Sequence, residues 1–162
     1  MNYKKLNFAV VGLMLFPNLV ISKDLEKKET VAVERNQIVK IDPSSLVRES
    51  KFELKDSSEF KIISGFGAKM SEARIYKSTD KKFDVGITKI DKVTLNFHDW
   101  PIDEFVYLIE GQVEITDQDL NVNVYGPGDS IVIPKGFSGV WRQISSVTMV
   151  TIFYLAESNQ HS

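Results

Sequence analysis

The 162-residue chain has no cysteine. That removes disulfides, thiolate nucleophiles and Cys-ligated zinc from consideration. It has two histidines, His98 and His161, and the second is the penultimate residue. A Ser/His/Asp triad would have to be built on His98 alone, and no nucleophile elbow accompanies it. There is no Walker-type phosphate loop, and Gly65-Phe-Gly67 reads as a turn. There is no basic surplus: the formal net charge is −2. A nucleic-acid binder would show the opposite balance, so no nucleic-acid partner is expected. No internal repeat and no low-complexity tract is present.

One apolar run stands out. Lys4 and Lys5 precede the stretch from Phe8 to Ile21, and Val20-Ile-Ser22 offers residues acceptable at a cleavage site. This is the layout of a secretory signal. Pro17 and Asn18 interrupt the run, which leaves it short of the roughly 20 apolar residues that a span needs. We therefore expect a signal peptide over residues 1–22 and an exported, periplasmic mature protein that no longer holds to a membrane. A retained membrane anchor is the alternative. The mature chain would carry 18 basic against 22 acidic residues.

Residues 23–58 read as an N-terminal extension or linker. Lys23–Thr30 is a mixed-charge run. Val31-Ala-Val and Ile38-Val-Lys-Ile are short apolar patches, each suited to an edge strand. Asp42 precedes Pro43, an N-cap followed by Pro at the first helical position, so one helical turn is expected there.

From Glu59 to residue 158 the pattern is β throughout. Strands are expected at Phe60–Ile63, Ala73–Tyr76, Phe83–Ile90, Val93–Phe97, Glu104–Ile109, Gln112–Thr116, Val122–Tyr125, Ser130–Ile133, Gly139–Gln143 and Val147–Leu155. Gly111, Asp117–Asn121, Gly126-Pro-Gly128 and Lys135-Gly136 lie between them as turns. Many short strands at even spacing without a long helix predict an all-β sandwich or jelly-roll barrel. Along Glu104–Ile109 the period of two puts Glu104, Val106 and Leu108 on one face. Asp103, Phe105, Tyr107 and Ile109 share the other. Both faces are largely apolar, so both call for a cover.

Two spacings make the pattern specific. Glu104 is followed after six residues by Gly111, and Gly128 after five residues by Pro134-Lys-Gly136. With Asp-Glu-Phe-Val-Tyr-Leu-Ile-Glu-Gly (103–111) and the stretch from Gly126 to Trp141, the chain resembles the cupin superfamily over about residues 72–156. Within it, it is similar to the cupin domain of ureidoglycine aminohydrolase and to the ethanolamine-utilisation cupins. The resemblance implies a double-stranded β-helix, with Glu104, Val106 and Leu108 facing the barrel. It also implies that the opposite face of that strand meets the extension or a second subunit, as in a homodimer.

The family's first motif, His-x-His-x3-Glu, places ligands at His98, at Trp100 and at Glu104. Its second places a histidine at Gly139. The resemblance thus leaves His98 and Glu104 as an incomplete metal site. Aided by water and by Asp99 or Asp103, it would hold manganese, iron, nickel or zinc only weakly.

A carboxylate inside an apolar barrel must be paired, hydrogen-bonded or protonated. Glu104 is therefore the leading catalytic candidate, with His98 beside it. The bland alternative is that Glu104 bonds backbone groups or Arg142. Trp100 and Trp141 are candidate walls of a small-molecule pocket, and Lys135 is expected in solvent. Three functions fit: a hydrolase or lyase acting on a small nitrogenous compound of ureido or amino-acid type, a non-catalytic binder of small ligands, and a structural dimer.

Overall fold

The computed structural model describes residues 37–48 and 51–155. The leader at 1–22, the charged run at 23–30, the patch Val31–Val33 and His161 lie outside the described residues. The chain divides into two compact units, the second of which begins at Ile41 and contains every regular element among those residues.

That unit opens with a 3-10 helix, Pro43–Arg48. Asp42 starts it as the sequence predicts: its Oδ1 accepts from Ser44 N at 3.0 Å and its carbonyl from Ser45 N at 3.0 Å. Ile38–Ile41, expected as an edge strand, forms none, and Ile38 is fully exposed. The first strand is instead a two-residue piece, β1 (Phe52–Glu53).

The remaining strands are β2 (Phe60–Ser64), β3 (Lys69–Lys77), β4 (Phe83–Ile90), β5 (Thr94–Phe97), β6 (Glu104–Glu110), β7 (Val113–Thr116), β8 (Val122–Tyr125), β9 (Ser130–Ile133), β10 (Gly139–Gln143) and β11 (Val147–Tyr154). They form two antiparallel sheets. One has the order β1-β3-β4-β11-β6-β9 and the other β2-β5-β10-β7-β8.

The apolar faces of both sheets are buried. β6 alternates as the period of two demands: Glu104, Val106 and Leu108 are buried, while Phe105 and Tyr107 are exposed. Through the ladder its inward residues share a face with Met149, Thr151 and Phe153 of β11. From the other sheet come Leu95 and Phe97, Trp141 and Gln143, and Val113. Each fully buried branched side chain in this core contributes roughly 1.5–3 kcal/mol.

A second, smaller cluster lies on the outer face of the six-stranded sheet. Val85, Ile87 and Val150 form it, and Leu46, Ile75, Tyr76, Ile109 and Ile152 pack against it. Leu46 belongs to the 3-10 helix, so residues of the stretch 23–58 do cover part of that face. β1 extends the same sheet by pairing with β3, and Leu54 N donates to the Ala68 carbonyl at 2.9 Å. Phe105, Tyr107, Val132 and Tyr154 on that face stay exposed. Among the described residues no helix is long and apolar enough to cross a membrane.

The turns follow from their residues. Gly111 turns the chain from β6 of one sheet to β7 of the other with φ of 82°, and a Cβ there would collide with the Ser146 carbonyl oxygen. Pro134 ends β9 because it has no N–H for the ladder.

Candidate functional site

The β5–β6 connection decides what faces the barrel mouth. Phe97 points inward and is buried, so His98 points outward by the period of two. His98 is exposed, with Nε2 3.3 Å from Asn96 Nδ2 on the outer face of the five-stranded sheet. Asp99 then takes φ of 48°, a left-handed conformation that Asp tolerates better than most residues. Its N–H donates to Ser138 Oγ at 2.9 Å. That reversal turns Trp100 back inward. Trp100 N donates to the Phe137 carbonyl at 2.8 Å, and Gly136 N to the Trp100 carbonyl at 2.6 Å, so the β9–β10 turn clamps it. His98 and Trp100, two residues apart, therefore lie on opposite sides of the barrel wall.

Inside the mouth the aromatic rings collect around Phe97. Its centroid lies 4.8 Å from Trp100, 6.1 Å from Trp141, 6.2 Å from Phe137 and 6.3 Å from Phe60. These tilted and edge-on separations are the favoured ones for aromatic pairs.

Glu104 faces this end of the barrel from the other sheet, 3% exposed. Its cross-strand partners are Phe153 on β11 and Ile133 on β9, both buried. Burial without a counter-charge pushes its carboxyl up to about 7 from the ordinary 4.5. The Trp100 indole N–H has no full-geometry hydrogen bond, yet it acts on that carboxyl as a weak donor that offsets part of the rise. Arg142 is not its partner. Arg142 Nε and Nη2 donate to the two carboxylate oxygens of Glu114 at 2.8 and 2.6 Å, on the outer face.

The residues at the expected cation position do not fit a metal ion. His98 is turned away from Glu104, and Trp100 fills the second ligand position with a packed indole. At the fourth position a Cβ on Gly139 would collide with the Thr116 carbonyl oxygen and stand 2.8 Å from Phe137 Cζ, so no histidine has room there. Asp99 and Asp103 do not complete the set. Asp103 Oδ1 accepts from Lys135 N at 3.0 Å, and both residues are exposed. Among the described residues no three His, Cys, Asp or Glu side chains gather to hold an ion.

The open space lies next to Glu104, on the far side of Ile133. It is a cleft of ≈ 180 Å³ between the β7–β8 hairpin of one sheet and β9 of the other, with the β9–β10 connection at its edge. Its apolar walls are Ile115, Ile131, Ile133, Pro134, Phe137 and Trp141, and its polar ones are Asp117, Asn121, Asn123 and Tyr125. Of the residues singled out from sequence, Trp141 lines it, whereas Trp100, Glu104 and His98 do not. Asn123 and Tyr125 were not singled out. The reason is that β8 carries no buried apolar face: Val122 and Val124 face solvent at 57% and 53% exposure, while exposed Asn123 and half-buried Tyr125, paired with Ile115 and Val113, share the face that lines the cleft.

Asp84, also missed, is buried on the inner face. Its Oδ2 lies 3.3 Å from Lys77 Nζ and 3.4 Å from Arg74 Nε. A carboxylate just after Lys81-Lys82 reads in sequence as a solvated strand end, and only the ladder shows it turned inward.

The sequence pattern of the EutQ-like cupin domain matches residues 80–148. Over that stretch the chain is similar to the cupin superfamily.

Among solved structures, a protein of unknown function of the DUF861 family from Pseudomonas syringae is 17% identical, with a TM-score of 0.55. The alignment covers 65% of this chain and 43% of that one, and it shows a shared fold. The EutQ protein of Clostridium difficile is 18% identical over 56% of this chain and 71% of its own, with a TM-score of 0.47. A putative ethanolamine utilization protein Q from Salmonella typhimurium is 18% identical over 66% of this chain and 95% of its own, with a TM-score of 0.46. No curated protein matches this chain.

Proposed function

We propose that this cupin binds a small molecule in the cleft beside Trp141 and does so without a metal ion. The observation that carries the reading is a substitution of one kind of site for another. The ligand positions of the family's metal are occupied by a packed Trp100 and by a Gly139 with no room for a side chain. A cleft walled by Trp141, Phe137 and Tyr125 opens next to them. Concave, mainly apolar space with a few convergent polar groups is the usual form of a small-molecule site.

Binding is favoured over turnover by the groups that line the cleft. Asp117 is its one carboxylate. Bonds from the Asn121 side chain and from the Asn121 and Asp119 backbone N–H groups hold it below the usual carboxylate range. It is therefore a poor base or acid near neutral pH.

A second reading rests on Glu104. A carboxyl pushed up to about 7 is suited to proton transfer, which would serve hydrolysis or elimination on a small ureido or amino-acid-like compound. Glu104 itself does not line the cleft, whereas its cross-strand partner Ile133 does.

The test is a thermal-shift screen of single-ring compounds and small amino and ureido acids in the presence of a chelator, followed by turnover assays on each hit. Binding retained in Glu104→Gln supports the binder. Turnover abolished in that variant while binding persists supports the enzyme.

Export and self-association belong to the same proposal. Lys4, Lys5 and the run Phe8–Ile21 support cleavage after Ser22 and release into the periplasm. A mature chain beginning at Lys23 in the periplasmic fraction is the expected result. Exposed Phe105, Tyr107, Val132 and Tyr154 on one sheet face support a homodimer.

A further inference from the structure

We infer that the cleft selects a neutral, planar, single-ring ligand that presents a hydrogen-bond donor and acceptor side by side, as a lactam, cyclic urea or imide does. This rests on the binding reading above and names the ligand class for the same site.

Size sets the first limit. At ≈ 180 Å³ the cleft is smaller than the roughly 300–1,000 Å³ usual for drug-sized ligands, which points to a small one such as a single ring.

Charge sets the second. No Lys, Arg or His lines the cleft. The Asp117 carboxylate is committed: Oδ1 accepts from Asp119 N and Asn121 N at 2.9 Å each, and Oδ2 from Asn121 Nδ2 at 3.0 Å. An anionic ligand would lose its hydration, meet no counter-charge and face the Asp117 carboxylate.

Polarity sets the third. Asn123 stands on β8 beside Ile115, exposed at the rim of the cleft that it helps to line. Among the described residues its side chain makes no hydrogen bond, and neither does the Tyr125 hydroxyl. An Asn amide offers one carbonyl acceptor beside one NH₂ donor, which matches edge-on a ring carrying the reverse pair. The Tyr125 hydroxyl adds a group able to give or take one more bond. Trp141 lies on the same rung and face of the sheet, two strands from Asn123, and with Phe137 it gives the cleft flat aromatic surfaces that favour a flat partner.

Uracil is the probe, since it is one ring, neutral and bears a cis-amide edge. Phenol is the control that lacks the edge, and orotate, the uracil carboxylate, is the charged control. Each is titrated into the full mature protein, wild type and Asn123→Leu, with tryptophan fluorescence and calorimetry as readouts. Asn123→Ala serves in place of Asn123→Leu if melting shows that the latter misfolds.

Saturable uracil binding, weakened about tenfold or more in the Asn123 variant and at least tenfold tighter than orotate, is the expected result. Phenol binding that the Asn123 variant leaves unchanged, with no uracil binding, would overturn the assignment of ligand class while leaving a ligand site in place. No binding of any of the three would overturn both.

Discussion

Asp84 and Glu104 stand on the same rung of the six-stranded sheet. Phe153 of β11 pairs with Asp84 of β4 on one side and with Glu104 of β6 on the other. Both carboxyls thus face the interior, two strand spacings or about 10 Å apart. Their surroundings differ. Asp84 lies between Lys77 and Arg74, whereas Glu104 has only a weak indole donor and apolar neighbours. One is held as half of an ion pair, and the other holds a proton near neutral pH.

That contrast gives a pH prediction for Glu104. Below about pH 4.5 the group is protonated whether the chain is folded or not, and its burial adds no penalty. As the pH rises from 4.5 through 7 the unfolded chain ionises first, so stability falls, and above about 7 the loss is complete. At about 1.4 kcal/mol per tenfold in proton affinity, the rise from 4.5 to about 7 corresponds to roughly 3 kcal/mol. Glu104→Gln is therefore expected to unfold at higher urea than wild type at pH 8 and at similar urea at pH 4.5. Equal midpoints at pH 8 would remove the case for a buried, unpaired carboxyl.

Asp84→Asn is expected to behave in the opposite way. It leaves Lys77 and Arg74 without the charge between them, and the loss should be about 1–3 kcal/mol at pH 7. Urea denaturation of the two variants side by side checks the pair. If Asp84→Asn is as stable as wild type, the buried ion pair contributes nothing net.

Gly139 is the position where a family ligand would have stood. Gly139→Ala should lower stability by about 1–3 kcal/mol through overpacking against the Thr116 carbonyl and the Phe137 ring. Gly139→His should fold worse still and gain no stoichiometric metal. Melting temperature and elemental analysis of the purified variants decide this. A well-folded Gly139→His that binds zinc would show that the β10 backbone can retreat.

The outer face of the six-stranded sheet bears on self-association. Phe105→Ser combined with Tyr107→Ser replaces two exposed rings without touching the core. Light scattering on the mature protein is expected to report a dimer for wild type and a monomer for the double variant. A monomeric wild type would remove the homodimer.

Much of this architecture was legible because turns and strands here obey local rules. Phe83–Ile90, Val122–Tyr125, Ser130–Ile133 and Gly139–Gln143 coincide with the expected strands, bounded by Gly, Pro and Asp turns. β1 was not legible, because two residues carry no period and their pairing with Met70 and Lys69 is nonlocal. The period of two put Glu104 on one face with Val106 and Leu108, and the cupin resemblance implied that this face looks inward, as it does. The separation of His98 from Trp100 did not, since it depends on the left-handed Asp99 between them. The cleft was half legible. Trp141 signals itself as a large aromatic, but Asn123 and Tyr125 lie on an edge strand whose valines face water. Their role appears only when β8 is set beside β7 and across from β9.

The most direct test of the central claim is a titration of uracil and phenol into the mature protein, followed by fluorescence of Trp100 and Trp141, with and without EDTA. Saturable quenching with the same Kd in both conditions is the predicted result. Quenching that appears only when manganese, iron, nickel or zinc is added, and that vanishes in Glu104→Gln, would contradict it and place the working site at Glu104.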